Sequence, residues 1–249
     1  MDKELSEDCL RQIGYEVGEA VATLHSITFR FHGDLPIPDW SLPMPHFKPI
    51  LWSIAGTSDE AFVHRVTFVL DLYRKHGILL EDDCENLERF FQKRAKTLLS
   101  SETSSCLVQA DIDPKNILIS QEKDGWHFGG LVDFDRALAL PPEADFGIMK
   151  NRWIAGASED RVKAFNNFQE SFLEGYRSDV NLLPGWQERA ELFFALESLE
   201  RIYSKDAPLR VPPQRASSLD TPCTASGVQP VAQPLLGLGE ETRYQRVLR

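Results

Sequence analysis

The chain has 249 residues, of which 42% are hydrophobic and 26% charged, a composition typical of a globular protein that buries a sizeable core. Its net charge of −11 argues against nucleic acid as the main partner and suits a cationic small molecule or a metal ion better. Apolar runs are too short to span a membrane, and the acidic N-terminus does not resemble a signal peptide. Four scattered cysteines without metal-ligand spacing indicate reduced thiols, so we expect a cytoplasmic protein.

Three helices are predicted in the first hundred residues. Apolar residues recur at steps of three and four over residues 10–24, which places them on one helical face. A second helix is expected to be capped by Ser58 and to end at Gly77, and a third runs over about 81–99. Five prolines within residues 33–49 predict an irregular connection between the first two helices.

Short strands are expected next, at residues 106–109, 116–119 and 126–133. The turn-forming residues 121–125 separate the last two, which we therefore expect to pair as a hairpin.

Two helices with apolar stripes and then a change of composition complete the chain. The stripes run over residues 165–176 and 192–203. Residues 207–249 are rich in Pro and Ser and show little periodicity, so we expect a disordered tail after one folded unit at residues 1–206.

The densest group of chemically useful residues surrounds the predicted hairpin. Asp111 lies in a tight loop after a strand, Asn116 follows five residues later, and Asp133 ends the third strand. Pairing of the hairpin would bring Asn116 close to Asp133, with Asp111 facing the same cleft. Amide and carboxylate oxygens suit a Mg²⁺ ion that bridges phosphates, and a separate carboxylate can accept a proton from an attacking hydroxyl.

This pattern resembles the aminoglycoside phosphotransferase and choline-kinase-like branch of the protein-kinase-like fold. The family's D-x-x-x-x-N loop is matched by Asp111 and Asn116, and its I-D-[WF]-[DE]-x-A segment by residues 133–137. The following G-D-P-x-x-D-L segment is similar to residues 142–146, and an earlier helix ending in L-H is similar to the one ending at His25.

The resemblance covers roughly residues 8–205 and implies a mostly helical α+β fold, the C-terminal lobe of a kinase with a small catalytic-loop hairpin. It implies ATP as co-substrate and Mg²⁺ as cofactor. Asp111 would be the catalytic residue, Asn116 and Asp133 would hold the metal, and these two together with Lys115 would bind the cofactor. Three further residues are expected to support the loop: Gln109, Asp135 and Asp145, the last by accepting hydrogen bonds from backbone N–H groups.

The chain departs from the family's pattern in two places. The loop normally begins H-G-D, but Gln109 and Ala110 precede Asp111 here. A kinase also needs an N-terminal lobe with a phosphate-covering loop and a lysine, whereas the residues before Asp111 predict helices, and the chain has no G-x-G-x-x-G. We therefore expect the nucleotide-binding lobe to be missing and ATP to bind weakly.

Simpler interpretations stay open beside this one. Asp111 and Asn116 could be ordinary turn formers, and Asp135 could form a local surface ion pair with Arg136. The triplet at residues 32–34 spells H-G-D, but no Asn follows five residues later, so it is disfavoured as the catalytic loop. Four acids on the last predicted helix form either a solvated face or a site for a cationic substrate: Glu188, Glu191, Glu197 and Glu200.

The sequence thus predicts an ATP-dependent phosphotransferase that acts on a hydroxyl of a small molecule, cationic or not. The alternative is a non-catalytic, kinase-like remnant that binds a ligand or a partner. Neither a nucleic-acid nor a membrane partner is expected, and the residues do not distinguish an aminoglycoside from choline, a sugar or a macrolide as substrate.

Overall fold

A computed structural model of the chain describes residues 5–35, 52–99, 104–123, 125–206 and 245–246. The helices in these ranges are α1 (Glu7–His25), α2 (Ser58–His76), α3 (Glu81–Leu98), α4 (Glu143–Ile154), α5 (Glu159–Asp179) and α6 (Trp186–Asp206), with a short 3₁₀ helix at Pro114–Asn116. The mostly helical α+β fold expected from the sequence is therefore confirmed. The tail expected at 207–249 lies outside the described residues except for 245–246.

Two small antiparallel sheets accompany the helices. Their strands are β1 (Thr28–Phe29), β2 (Gly33–Asp34), β3 (Ser105–Val108), β4 (Ile117–Gln121), β5 (Trp126–Leu131), β6 (Leu138–Leu140) and β7 (Gln245–Arg246). The first sheet has the order β1-β3-β6-β2 and the second the order β5-β4-β7. Strands β4 and β5 pair with Ile117 opposite Leu131 and Gln121 opposite Trp126, which confirms the predicted hairpin.

Helix α2 shows how local sequence sets an element's ends. Its N-cap is Thr57, whose hydroxyl accepts a hydrogen bond from the Glu60 N–H. The predicted cap, Ser58, is instead the first helical residue, and its buried hydroxyl donates to the Leu99 carbonyl. Gly77 ends the helix in the left-handed conformation at φ 62°, as its position predicted.

Two elements differ from the expectations. Residues 33–34, expected to begin an irregular connection, form β2, and most of that connection (residues 36–51) lies outside the described residues. Gly33 permits this strand because its φ is 112° and a Cβ there would lie 2.4 Å from the Ser53 carbonyl oxygen. Helix α4 was not predicted; it is buried on nearly every side, so its sequence shows no amphipathic stripe.

The hydrophobic core consists of two clusters that meet at the loop after β3. One cluster joins α2, α3 and α6 to the first sheet, and the other joins α1, α4 and α5 to the hairpin. Ala110 belongs to the first cluster and Ile112 to the second, so the residue between them, Asp111, is held at the junction of the two. None of the described helices is long and apolar enough to cross a membrane.

Candidate active site

The Asp111 carboxylate lies in the loop between β3 and β4 and is almost fully buried, at 5% exposure for the residue. The Asn116 side-chain nitrogen donates hydrogen bonds of 2.9 Å both to the Asp111 backbone carbonyl and to its Oδ2. Burial raises the pKa of Asp111, an effect that the charges of Lys115 and Arg136 oppose. The loop thus presents one oriented carboxylate with a raised pKa.

Gln109 joins this loop to the end of β5. Its side chain is fully buried, and its Nε2 donates to the backbone oxygens of Val132 and Asp133 at 3.0 and 2.9 Å. Its Oε1 accepts a 2.8 Å hydrogen bond from the Asp111 N–H. At the position where the family pattern has histidine, glutamine therefore connects the two segments that carry Asp111 and Asp133.

Asp145, at the start of α4, contacts the same loop from the other side. Its Oδ2 accepts a hydrogen bond from the Gln109 N–H at 3.0 Å, and its Oδ1 accepts one from the Ala110 N–H at 2.7 Å. The same carboxylate lies 3.0 Å from His25 Nε2, and His25 Nδ1 is hydrogen-bonded to the Tyr176 hydroxyl at 2.9 Å. The sequence placed His25 only as the end of an L-H helix and did not predict that it pairs with Asp145.

Two residues at this site have strained backbone conformations. Ala110 has a φ of 57° and Asp133 a φ of 66°, and among the described residues no other non-glycine residue has a positive φ. Such conformations cost on the order of 1–3 kcal/mol each and collect at functional sites. Ala110 directly precedes Asp111 and is held by its hydrogen bond to Asp145. Asp133 follows β5 and is held by the hydrogen bond from Gln109 to its carbonyl.

Asn116 and Asp133 lie next to each other along the hairpin. The Val132 N–H donates to the Asn116 carbonyl at 3.0 Å, so the residue before Asp133 is paired directly with Asn116. The Asp133 side chain is exposed, and partial burial together with the adjacent Asp133 carboxylate raises the pKa of Asp135. Lys115 is about half exposed, with its Nζ 3.8 Å from Asp111 Oδ2.

The donor set around Asn116 fits a hard cation. Within the described ranges, no three His, Cys, Asp or Glu side chains are grouped as metal ligands, so a cation here would be completed by other oxygens, such as water or the Asn116 amide. The Asn116 nitrogen faces Asp111, which turns the amide oxygen away from it. That oxygen and two mutually repelling carboxylates, Asp133 and Asp135, are the ligand types that Mg²⁺ prefers.

An arginine that the sequence did not single out contacts Asp111. Arg152, on α4, lies with its Nε 3.0 Å from Asp111 Oδ1 and its Nη2 2.9 Å from Glu197 Oε1 on α6. These partners are 41 or more residues apart in the chain, so no local pattern could have predicted the contact.

The acids on α6 differ from a uniformly solvated face. Glu197 and Glu200 are 4% and 12% exposed in their side chains, and Arg136 lies 3.4 Å from the first and 3.9 Å from the second. Arg136, which was considered as a local partner of Asp135, therefore pairs with glutamates on α6. Arg65 from α2 lies 2.7 Å from Glu200, and burial raises the pKa of Glu197 to about 7.

The H-G-D triplet at residues 32–34 belongs to β2. Asp34 lies opposite Leu138 in the sheet, and its Oδ1 accepts a 3.0 Å hydrogen bond from the Trp52 N–H. Burial raises the pKa of Asp34. Its carboxylate thus holds the chain at Trp52.

The model of the phosphotransferase enzyme family, APH, matches residues 2–192. The chain belongs to this family. The resemblance predicted from the sequence, to aminoglycoside phosphotransferases with a kinase-like fold, is therefore confirmed. A search of curated proteins found no match.

Solved structures similar to the chain include the aminoglycoside phosphotransferase APH(2'')-Ib with ADP bound. It is 18% identical with a TM-score of 0.49, and the match covers 83% of this chain and 60% of that one. A gentamicin complex of APH(2'')-IIa is also 18% identical, with a TM-score of 0.45 and coverage of 80% and 55%. The chain thus spans little more than half the length of these proteins.

Proposed function

We propose that this chain is an ATP-dependent phosphotransferase that transfers the γ-phosphoryl group to a hydroxyl of a small molecule. The observation that supports this most is that energetically costly features lie together in two segments joined by Gln109: the buried Asp111 carboxylate and the strained Ala110 in one, and the strained Asp133 in the other. A turn that only connected two strands would not need these features.

Asp111 is assigned to the acceptor hydroxyl. Asn116 fixes one of its oxygens, which orients the carboxylate before the acceptor arrives. Its raised pKa makes it a better proton acceptor than an exposed aspartate at neutral pH. In phosphoryl transfer such a residue works mainly by positioning the nucleophile.

The nucleotide phosphates are assigned to the hairpin side of the site. Asn116 and Asp133 would hold Mg²⁺ through their oxygens, with Asp135 close by. When bound, the ion would neutralise charge on the β- and γ-phosphoryl oxygens. Lys115, exposed beside Asp111, would add a positive charge at the same place.

The competing function is a non-catalytic remnant that binds a ligand or a partner. It is favoured by the absence of a G-x-G-x-x-G sequence and by Gln109 and Ala110 in place of His and Gly. Without a phosphate-covering loop the chain would offer contacts to only one side of the nucleotide, so we expect ATP·Mg²⁺ to bind weakly.

Calorimetric titration with ATP and Mg²⁺, followed by a screen of hydroxyl compounds for ADP release, separates the two functions. We expect slow release that falls about 10²- to 10⁴-fold in Asp111→Asn, because the proton acceptor is lost. The matched control is Asp82→Asn on the exposed first turn of α3, which should leave release unchanged. Release that persists in Asp111→Asn would reject Asp111 as the base, and no release with any acceptor would favour the remnant.

A further inference from the structure

A shallow cleft next to Asp111 has a volume of only about 10 Å³, so the rest of an acceptor molecule would lie over its mouth and not within it. It begins at Ala110, the residue before Asp111, and its polar lining comes from Arg136, Glu197 and Glu200. The rest of the lining is apolar, with residues from β6, α4 and α6 that include Leu138, Ile148 and Phe193. A compound whose hydroxyl reaches Asp111 from this side must lie against these groups.

The two carboxylates in the cleft are already neutralised. Glu197 has Oε1 2.9 Å from Arg152 and Oε2 3.4 Å from Arg136. Glu200 has Oε1 2.7 Å from Arg65 and Oε2 3.9 Å from Arg136. All four oxygens thus face a guanidinium group, and an ammonium group of a substrate would have to compete with an arginine for either carboxylate.

Arg136 and Arg152 are more exposed than Glu197, the acid that they share, whereas Arg65 is only 3% exposed. Arg136 is 34% exposed and Arg152 is 17% exposed, compared with 4% for Glu197. Arg136 uses only Nη2 in its two ion pairs, and Arg152 uses Nε and Nη2 in its own. Each guanidinium therefore keeps Nη1 outside these pairs as a donor for an oxyanion.

We propose that the acceptor carries an anionic group, a carboxylate or a phosphate, close to the hydroxyl that Asp111 receives, and that Arg136, the arginine that lines the cleft, binds this group. The proposal rests on the proposed function for the position of the hydroxyl. It names the class of substrate: an anionic hydroxyl compound. A polycation would place an ammonium group against the exposed Arg136 guanidinium group and is disfavoured by like-charge repulsion.

The test is a titration of the full chain with three matched six-carbon compounds, followed by NMR at low ionic strength, where charge effects are least screened. Gluconate carries a carboxylate, sorbitol is neutral and glucamine carries an ammonium group. A fourth compound, glucose 6-phosphate, carries a phosphate on a six-carbon sugar. We expect gluconate and glucose 6-phosphate to bind about tenfold or more tightly than the other two, the effect of one charge-assisted hydrogen bond.

Variants assign the binding to the cleft. Arg136→Gln should weaken gluconate binding about tenfold, whereas Lys150→Gln, which removes a cation from the partly exposed part of α4, should not change it. If Arg136→Gln does not fold, Arg136→Lys keeps the charge, loses the fork and should weaken binding less. Gluconate should also stay bound when ATP and Mg²⁺ are added.

Four results would overturn the proposal: glucamine binding as tightly as gluconate, no binding of either anion at millimolar concentration, unchanged binding in Arg136→Gln, or displacement of gluconate by ATP. The last result would mean that Arg136 binds the nucleotide phosphates. The proposed function fails separately, if the anions bind through Arg136 but no acceptor gives Asp111-dependent release of ADP.

Discussion

Replacing Gln109 by alanine removes the side chain that joins the Asp111 loop to the end of β5. The buried Asp111 N–H would lose its acceptor at a cost of about 1–3 kcal/mol. The Val132 and Asp133 carbonyls lie nearer the surface and would lose about 0.5–1.5 kcal/mol each, since water can replace part of the bond. We therefore expect the free energy of unfolding to fall by roughly 2–6 kcal/mol.

Urea unfolding measures this loss, and two further variants sharpen the result. Gln12→Ala removes a glutamine from the exposed face of α1 and should cost less than about 0.5 kcal/mol. Gln109→His introduces the residue of the family pattern; a neutral imidazole has one donor and one acceptor, so it can keep two of the three bonds. If Gln109→Ala lost no more stability than Gln12→Ala, the three hydrogen bonds would not be what holds the loop.

Two further pairs of variants test the close packing of the helices and the burial of an ion pair between α4 and α6. Gly147→Ala would place a Cβ 2.1 Å from a backbone oxygen of α6 and should lower the free energy of unfolding by about 3 kcal/mol or more. In the control Gly56→Ala, the nearest atom to the new Cβ lies 3.9 Å away, so little stability should be lost. Similar melting temperatures for the two variants would contradict this. Arg189→Met leaves Glu143 buried without its cation and should lower the free energy of unfolding by about 3–5 kcal/mol. The exposed control Arg11→Met should lower it by under 1 kcal/mol. Equal losses of stability in urea would show that burial does not set the cost.

Elements with local signals could be predicted from the sequence. Helix α1 follows from apolar residues at helical spacing, and the end of α2 follows from Gly77, since only the left-handed conformation closes a helix in this way. The β4–β5 hairpin follows from two apolar runs around a turn. Because the site is built on this hairpin, the proximity of Asn116 to the end of β5 could also be predicted.

Features that depend on distant partners could not be predicted. Helix α4 packs against neighbours on nearly every side, so its sequence has no polar face that would mark it as a helix. From the sequence alone, Glu197 belongs to an acidic stretch that is typical of a solvated helix face. Only the structure shows that Arg136 and Arg152 lie beside it. Its burial depends on α4 and α6 lying together, which no pattern within either helix specifies.

The geometry of the Asp111 loop is set by contacts within the described part of the chain. The strained Ala110 is held by Asp145, and the strained Asp133 by Gln109. Asp145 is in turn fixed by His25, so the loop is tied to α1 and α4 as well as to the hairpin. Each strained residue costs about 1–3 kcal/mol, a cost that two or three buried hydrogen bonds can offset. The residues of this chain should therefore preorganise the loop and place Asp111 before any ligand binds.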